Sequence, residues 1–494
     1  MIKYVVPPAL ALIAASAYAQ PQTFDPGPHT FDPKIDACIG PDNCIRLTGG
    51  YSSLAGSFAG LSYTTRNLSL SSEYGVRLRR VQLSFDKASL FGKPIETGAA
   101  VYGQRFHYNQ GRESSIFAFE RNIPEFNETG KDNLLNYISH SYGVAGFVQF
   151  PIRNSSHFRV TYTYDVSDFT TLTAATGDYF GNLDFQGGGP AVLKDIRTSK
   201  LIPSFAYDTV DHPIHPTRGA AAAISTAIAG LGDVHTIEPS VDAKYFRSGF
   251  KKGHAIGMHL SGRALFGYGI RVPPPFSRYY IGGENDVRGF DSWSIGPAAY
   301  MPSTTSVNVL NNDGSPRLQP VMVNGVRTLV NITQTVPTYR TVNAGGDTNI
   351  VTNFEYRIPL TEPFTLALFA DAGMNRLSFP GHLRLNWVRA NQLNSQFPQA
   401  GFTGLFPVQP GTQTIRMSTG AELRVRVPRI DAPLRFYVAY NPLGFRGFLK
   451  PPPSFDRSYF PNNATFVNAS NTVGAPMPLR ERHFTFRFSI GRTF

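Results

Sequence analysis

One arginine of this 494-residue chain, Arg288, lies in a segment that is rich in glycine. Gly282, Gly283 and Gly289 surround it, and glycine lets a loop fold back tightly because it adopts positive φ angles freely. A guanidinium on such a loop can form charge-assisted, bidentate hydrogen bonds with a carboxylate. The segment therefore predicts an ion pair that fixes a loop, with partners elsewhere in the chain.

Alternation places two carboxylates to receive this arginine. In residues 348–359 and 364–374 the apolar side chains recur at every second position, as in strands with one apolar face. Glu355 in the first segment and Asp371 in the second fall on the opposite face. Because these segments are close in sequence, they should form adjacent strands. We expect Arg288 to lie within hydrogen-bonding reach of Glu355 or Asp371.

The sequence contains no motif that predicts catalysis. It has no Gly-x-Ser-x-Gly, no His-Glu-x-x-His and no phosphate-binding loop. His212 and His215 lie in a proline turn without a third ligand, so a plain loop is favoured over a metal site. We therefore expect no catalytic residue, no metal and no cofactor, and a protein that is not an enzyme.

Strands must position these residues, because alternation recurs from about residue 45 to the last residue. In 414–427, for example, Ala421 and Leu423 share one face while Glu422 and Arg424 share the other. Many segments have about ten residues, the length with which a tilted strand crosses a membrane. We predict an all-β fold, a transmembrane antiparallel β-barrel of about sixteen strands. The segments lie near 45–52, 54–64, 73–85, 95–109, 111–120, 138–150, 157–167, 199–208, 219–228, 236–247, 254–266, 348–359, 364–374, 414–427, 433–441 and 483–494.

The alternation breaks within residues 73–85. Val76 and Leu78 share one phase, whereas Val81 and Leu83 share the other. A β-bulge near Arg79-Arg80 would absorb one extra residue, and we expect one there.

The connections between the segments differ greatly in length. Those at 168–198, 267–347, 375–413 and 442–482 are long, whereas others are short turns. Barrels of this kind have short periplasmic turns and longer outer loops. The connection 267–347 is too long for a passive turn, so it should have a function of its own.

Composition also favours a membrane barrel. Charged residues make up only 16% of the chain, against about 25% in soluble domains, while it contains 38 Phe and 23 Tyr. The formal net charge of +12 is spread along the strands rather than clustered, so we expect no nucleic-acid partner.

The N-terminal region indicates export. Residues 1–19 combine Lys3, an apolar run and a small-x-small site, as in a cleaved signal peptide. Residues 20–44 would then form a short periplasmic tail, and 45–494 the barrel. Cys38 and Cys44 flank turn-forming residues in an oxidising compartment, so we expect them to form a disulfide.

Five motifs, in order along the chain, resemble those of the BamA-type assembly factors, the bacterial surface antigen family. The resemblance is strong from about residue 200 and weaker from 45 to 199. The motifs are Tyr207 to Gly219, Tyr279 to Phe290 (with Gly282, Gly283, Val287, Arg288, Gly289 and Phe290), Asn353 to Pro359, Leu368 to Gly373 and Phe486 to Phe494.

This resemblance implies a location in the bacterial outer membrane and a loop, 279–290, folded into the lumen with its arginine against the inner wall. It also implies that the last strand is the signal by which outer-membrane proteins are recognised for insertion, through Phe486, Phe488, Ile490, Gly491 and Phe494. The family's assembly factors carry periplasmic POTRA domains before the barrel, whereas we expect only the tail of residues 20–44 here.

Three functions remain open on the sequence. The first is insertion or translocation of outer-membrane proteins, with a weak seam between the first and last strands that pairs with a client strand. The second is a channel or transporter plugged by its long loop. The third is a structural anchor, or a subunit whose periplasmic domains come from another chain. The expected partners are outer-membrane lipids, unfolded clients and periplasmic or lipoprotein subunits.

Overall fold

A computed structural model describes most of the chain between residues 36 and 490. The expected signal peptide, 1–19, and most of the expected tail lie outside the described residues. Those described are 36–38, 43–52, 56–115, 119–124, 126, 131–212, 216–426, 434–473 and 475–490.

Sixteen strands of seven residues or more form the wall of one antiparallel sheet, in which each pairs with the next along the chain, and two short strands, Asp36–Cys38 and Phe266–Gly267, add to the same sheet. Their alternating side chains give the sheet an apolar outer face and a mixed inner face. The strands are β1 Asn43–Ser52, β2 Gly56–Thr65, β3 Leu68–Gly75, β4 Leu78–Lys87, β5 Glu96–Asn109, β6 Asn136–Arg153, β7 Ser156–Thr171, β8 Ile196–Asp208, β9 Gly219–Ala229, β10 Thr236–Ser248, β11 Ala255–Ala264, β12 Thr348–Pro359, β13 Phe364–Arg376, β14 Arg416–Val425, β15 Leu434–Tyr440 and β16 Phe484–Ile490.

The sheet curls so that its first and last strands meet. Cα atoms of β1 and β16 come within 8 Å of each other. Between these two strands, however, no pairing is formed by the residues that the structure describes. The fold is therefore an antiparallel barrel, and the line between β1 and β16 is called the seam below.

The prediction of sixteen strands is confirmed, although two of the predicted segments are wrong. Residues 73–85 are not one bulged strand, because the chain turns at Val76-Arg77 between β3 and β4. A two-residue turn changes the phase of alternation just as a bulge does. Residues 111–120 are not a barrel strand but belong to a separate hairpin, Arg112–Ser115 with Phe119–Asn122, whose strands are too short to cross a membrane. The two errors cancel in the count.

The two ends of the barrel differ in their connections, as expected. One end, called the turn end below, carries short connections such as 66–67, 154–155 and 360–363. The other, the loop end, carries the long connections 110–135, 172–195, 265–347, 377–415 and 441–483. Because outer-membrane barrels keep their short turns in the periplasm, the loop end is the outer one.

The long connections hold the remaining elements of the fold. The helices are α1 Ala174–Asn182, α2 Trp387–Gln396 and α3 Asn463–Val473, and the hairpins include Ala298–Asn308 with Thr333–Asn343, Leu318–Val323 with Val326–Asn331, and Arg446–Leu449 with Met477–Arg480. Asn386 caps α2 by accepting a hydrogen bond from the backbone N–H of Arg389 at 2.9 Å. Within the described part of the chain, no helix has the length and apolarity needed to span a bilayer.

An aromatic core packs inside the barrel near the loop end. It joins side chains of the barrel wall to side chains of the long connections. Phe169 of β7 stacks on Phe276 of the connection 265–347, with ring centres 4.3 Å apart, and Phe180 of α1 contacts both of these rings and that of Tyr137. The connections are therefore held on the wall by apolar burial, at about 25 cal/mol for each Å² removed from water.

The cysteines lie at the start of β1. A three-residue strand, Asp36–Cys38, pairs with β1 so that Cys38 lies opposite Cys44. Cys44 is disulfide-bonded, and the chain contains two cysteines. The barrel wall begins at Asn43, two residues before the expected boundary at 45.

Candidate functional site in the barrel lumen

The connection 265–347 divides into a segment inside the barrel and a hairpin that leaves it. Residues 279–295 form the inner segment, called the lumen loop below; most of its residues are buried and none is exposed. Two isolated bridges close it, one between Tyr279 and Gly346 and one between Ile281 and Ile295. The hairpin that begins at Ala298 was not predicted from the sequence, which gave no reason to divide the connection.

Glycines shape the lumen loop as the sequence suggested. Gly282 has a φ of +110°, and a Cβ atom there would meet the backbone oxygen of Asp291 at 2.6 Å. Gly289 has a φ of +88°, and its Cβ atom would lie 2.4 Å from Oδ1 of Asn441. Only glycine fits both the backbone angle and the space at these positions.

Val287 and Phe290 hold the loop by packing. Both are buried in a cluster with Val351 of β12. The wall makes room for Val287 at Gly373 of β13, where a Cβ atom would lie 2.5 Å from a methyl group of Val287. The motif around Gly373 thus complements the motif on the loop.

Arg288 is fully buried and lies against the carboxylates that alternation had indicated. Its Nε and Nη2 donate to the two oxygens of Asp371 at 2.7 and 2.8 Å, and its backbone N–H donates to the same carboxylate at 3.0 Å. Its Nη1 donates to Glu355 at 2.7 Å. The guanidinium also lies 3.8 Å from the ring centre of Phe369, so it forms ion pairs and a cation–π contact together.

The inner wall adds further charges that sequence analysis did not include in the site. Glu422 of β14 accepts from Arg288 at 3.4 Å and from Arg435 at 2.8 Å. Arg424 donates to Glu422 at 2.6 Å and to Glu355 at 2.5 Å. Alternation had placed Glu422 and Arg424 on the polar face of 414–427. Counting the neighbouring strands would have placed them on the strand next to that of Asp371, without fixing their height in the lumen.

Glu355 has one more partner, Arg357 of the same strand, whose Nε donates to it at 2.8 Å. The lumen site thus contains the carboxylates of Glu355, Asp371 and Glu422, and the guanidinium groups of Arg288, Arg357, Arg424 and Arg435. Asp371 differs from the other two carboxylates, since Arg288 supplies all three of the hydrogen bonds described for it.

A second cluster of charges joins the lumen loop to the last strand. Arg487 of β16 donates to Glu113 at 2.9 Å and pairs with Asp291 of the lumen loop. Arg121 pairs with the same two acids, at 3.1 Å in the case of Asp291. We call Glu113, Arg121, Asp291 and Arg487 the seam cluster, because it lies on the inner side of the strand that borders the seam.

The last strand presents its aromatic face outward. The exposed fractions of Phe484 and Phe486 are 68% and 70%, and Phe488 packs against Phe436 of β15 with ring centres 4.7 Å apart. Ile490 pairs with Leu434 in the strand register. The remaining residues of the expected signal, Gly491 and Phe494, lie outside the described residues.

These groups can hold a loop in place, but they are not arranged as a nucleophile with a base. Each guanidinium of the lumen site is oriented by carboxylates, and a guanidinium stays charged at all ordinary pH values. The described residues include no group of three or more His, Cys, Asp or Glu side chains that could bind a metal ion, and His215 lies outside them. The site is therefore suited to positioning a segment of chain.

Replacing Gly289 with alanine is expected to loosen the lumen loop. The added Cβ atom would meet Asn441 and Ala439, at 2.4 and 2.8 Å, and such crowding typically costs about 1–2 kcal/mol. Gly314→Ala is the matched control, since Gly314 has a similar φ of +85° but no atom within 4 Å of the added Cβ. Limited proteolysis and thermal unfolding would measure the difference. Equal effects of the two substitutions would show that the contact with Asn441 does not matter.

Comparison with known proteins gives one family. The chain matches the Omp85 superfamily domain over residues 64–494. This match begins within β2 and includes the lumen loop and the last strand.

One solved structure agrees with this match at the level of the fold. BamA from Haemophilus ducreyi, lacking POTRA domains 1-3, is 14% identical and superimposes with a TM-score of 0.53, covering 91% of this chain and 70% of that one. CdiB from Acinetobacter baumannii is 11% identical with a TM-score of 0.43, covering 91% of this chain and 59% of the other. At 14% identity the likeness to this BamA shows the fold alone.

Proposed function

Because the chain belongs to the Omp85 superfamily of bacterial outer-membrane barrels, we propose that it assists the insertion or translocation of other outer-membrane proteins at its seam. A client strand would add by β-augmentation to the edge of β16 or to the part of the seam-side edge of β1 beyond residues 44–46, where Asp36–Cys38 is paired. The proposal includes lipids of the outer membrane as surroundings and unfolded clients as partners. Periplasmic or lipoprotein subunits would deliver these clients.

One observation carries the proposal. Along the sheet every strand from β1 to β16 is paired with the next, yet the described residues form no ladder between β1 and β16. An unpaired strand edge presents a row of N–H and C=O groups that another strand can complete. The seam is therefore the place where the barrel can accept a client strand.

The filled lumen supports this proposal over an open channel. Most residues of the lumen loop are buried and none is exposed, and Arg288 holds the loop to three neighbouring strands. Ions or solutes that cross the barrel would have to pass this loop. Since breaking a buried ion pair typically costs about 3–5 kcal/mol, we expect little conductance from the resting protein.

A role without enzymatic activity is part of the same proposal. The charged residues of the lumen site pair with one another, and the function that we assign to them is to fix the lumen loop. The energy of insertion would come from the client's own folding, since burying apolar strand faces in a bilayer is favourable.

Cross-linking in liposomes tests the function. The purified protein is reconstituted with benzoylphenylalanine in place of Phe486 of β16 or, as a control, in place of Leu201 of β8, which also faces outward. An unfolded client barrel is then added, and its folding, its adducts and the ion conductance are followed. We expect faster client folding than in empty liposomes, with adducts at position 486 and not at 201.

Other outcomes would favour the other two functions. Large conductance without faster client folding would indicate a channel or transporter. Neither activity would indicate an anchor or a partner subunit. Adducts at both positions would mean that clients do not use the seam.

A further inference from the structure

Two arginines lie side by side on the outer face of the barrel. Arg79 of β4 and Arg105 of β5 are directly opposite each other in the strand register. Alternation places Arg79 on the same face as Val81, and Arg105 on the same face as Val101, and both valines are more than half exposed. Both arginines therefore point away from the lumen, toward the membrane side of the wall.

The same register continues on both sides of this pair. Tyr74 of β3 lies opposite Arg79, and His140 of β6 lies opposite Arg105. The guanidinium of Arg79 is 4.3 Å from the ring centre of Tyr74. We call Tyr74, Arg79, Arg105 and His140 the basic row.

The basic row lies at the loop end of the apolar band. The next outward positions toward the turn end include Val81 and Tyr142, each with an exposed fraction of 56%, and Leu83 follows Val81. Since the loop end faces outward from the cell, the row is at the level where the outer leaflet's headgroups begin.

The two arginines have no acidic partner among the residues that the structure describes. Among the described residues, Arg79 and Arg105 form neither an ion pair nor a hydrogen bond. Arg197, an exposed arginine at the same end of the barrel, has Asp233 at 3.8 Å. Like charges directly opposite on paired strands repel each other. An anion from outside the chain would therefore stabilise this arrangement.

We propose that the basic row binds a phosphate group of a glycolipid in the outer leaflet. A phosphate between two guanidinium groups accepts charge-assisted, bidentate hydrogen bonds from both and removes their repulsion. Val81 and Tyr142, immediately below, would contact the acyl chains of the same molecule. This continuity of a charged row with an exposed apolar band favours a lipid over free phosphate.

Native mass spectrometry of the detergent-solubilised protein tests the proposal. The probes are bisphosphorylated lipid A, the same lipid without its phosphates, phosphatidylcholine and inorganic phosphate. We expect Arg79→Gln/Arg105→Gln to lower the affinity for bisphosphorylated lipid A by about tenfold or more, as for the loss of charged contacts. Lys87→Gln should have no effect, since Lys87 follows on the same outward face of β4 but at the turn end.

Each other result has a definite meaning. Equal binding by wild type and the double variant would overturn the proposal, provided that heat-modifiable electrophoresis shows both folded. So would equal binding of the dephosphorylated lipid or of phosphatidylcholine. Displacement of lipid A by inorganic phosphate at equal concentration would identify a general anion site and contradict the lipid as its ligand.

Discussion

Arg288→Ala is expected to lower the free energy of unfolding of the barrel by about 3–5 kcal/mol, as for other buried ion pairs that lose one partner. Asp371 is the residue that would lose the most hydrogen bonds. Its carboxylate receives three hydrogen bonds from Arg288 and is fully buried, whereas Glu355 would keep Arg357 and Arg424 and Glu422 would keep Arg424 and Arg435. The substitution thus leaves one unpaired buried charge.

Unfolding by guanidinium chloride in detergent micelles would measure the loss of unfolding free energy. Arg197→Ala is the control, because Arg197 and Asp233 form an exposed pair at 3.8 Å, and such pairs contribute about 0–1 kcal/mol. Arg288→Lys should recover part of the stability, since lysine restores the charge but not the bidentate geometry or the stacking on Phe369.

A second substitution separates the ion pair from general damage to the loop. Asp371→Asn in the Arg288→Ala background removes the unpaired charge and should recover a substantial part of the stability. The coupling from the double-mutant cycle should then be large. If Asp371→Asn brings no recovery, the effect of Arg288→Ala comes from lost packing, and this account of the site is wrong.

Alternation explains why much of this site could be predicted. Glu355 and Asp371 were placed on the inner face by the apolar residues at every second position around them. This pattern states which face a side chain occupies, but not its height in the lumen. Glu422 and Arg424 were on the inner face by the same argument, but the register of β13 with β14 sets Glu422 opposite Ala367, four residues from Asp371. The position of Arg288, which donates to both acids, brings Glu422 into the site.

The contacts of the seam cluster could not be predicted from the sequence. Glu113 and Arg487 are 374 positions apart in sequence, and Glu113 belongs to a hairpin that alternation presented as a barrel strand. Short strands outside the sheet alternate as barrel strands do, so the pattern cannot tell them apart. A second ambiguity led to the single segment 73–85, because a bulge and a two-residue turn change the phase of alternation in the same way.

Arg487→Ala is expected to release the last strand locally. Along its edge β16 is paired with β15, and on the seam side the described residues provide no ladder. Its inner face is fixed by Arg487, which pairs with Glu113 and Asp291, and by Thr485, whose hydroxyl donates to the backbone oxygen of Gly289 at 2.7 Å. The seam cluster would therefore couple the lumen loop to the opening of the seam.

Hydrogen exchange would measure this coupling. Breaking a buried ion pair typically costs about 3–5 kcal/mol, but Arg121 still pairs with both acids of the seam cluster. We therefore expect Arg487→Ala to lower the free energy of local opening of β16 by about 2–3 kcal/mol. Amide exchange in residues 484–490 should then become faster on the order of a hundredfold. Arg480→Ala is the control, because Arg480 is exposed in the preceding hairpin. Unchanged exchange in β16 would show that the cluster does not restrain the seam, whereas equal acceleration in β6 and β7 would indicate global unfolding instead of local release.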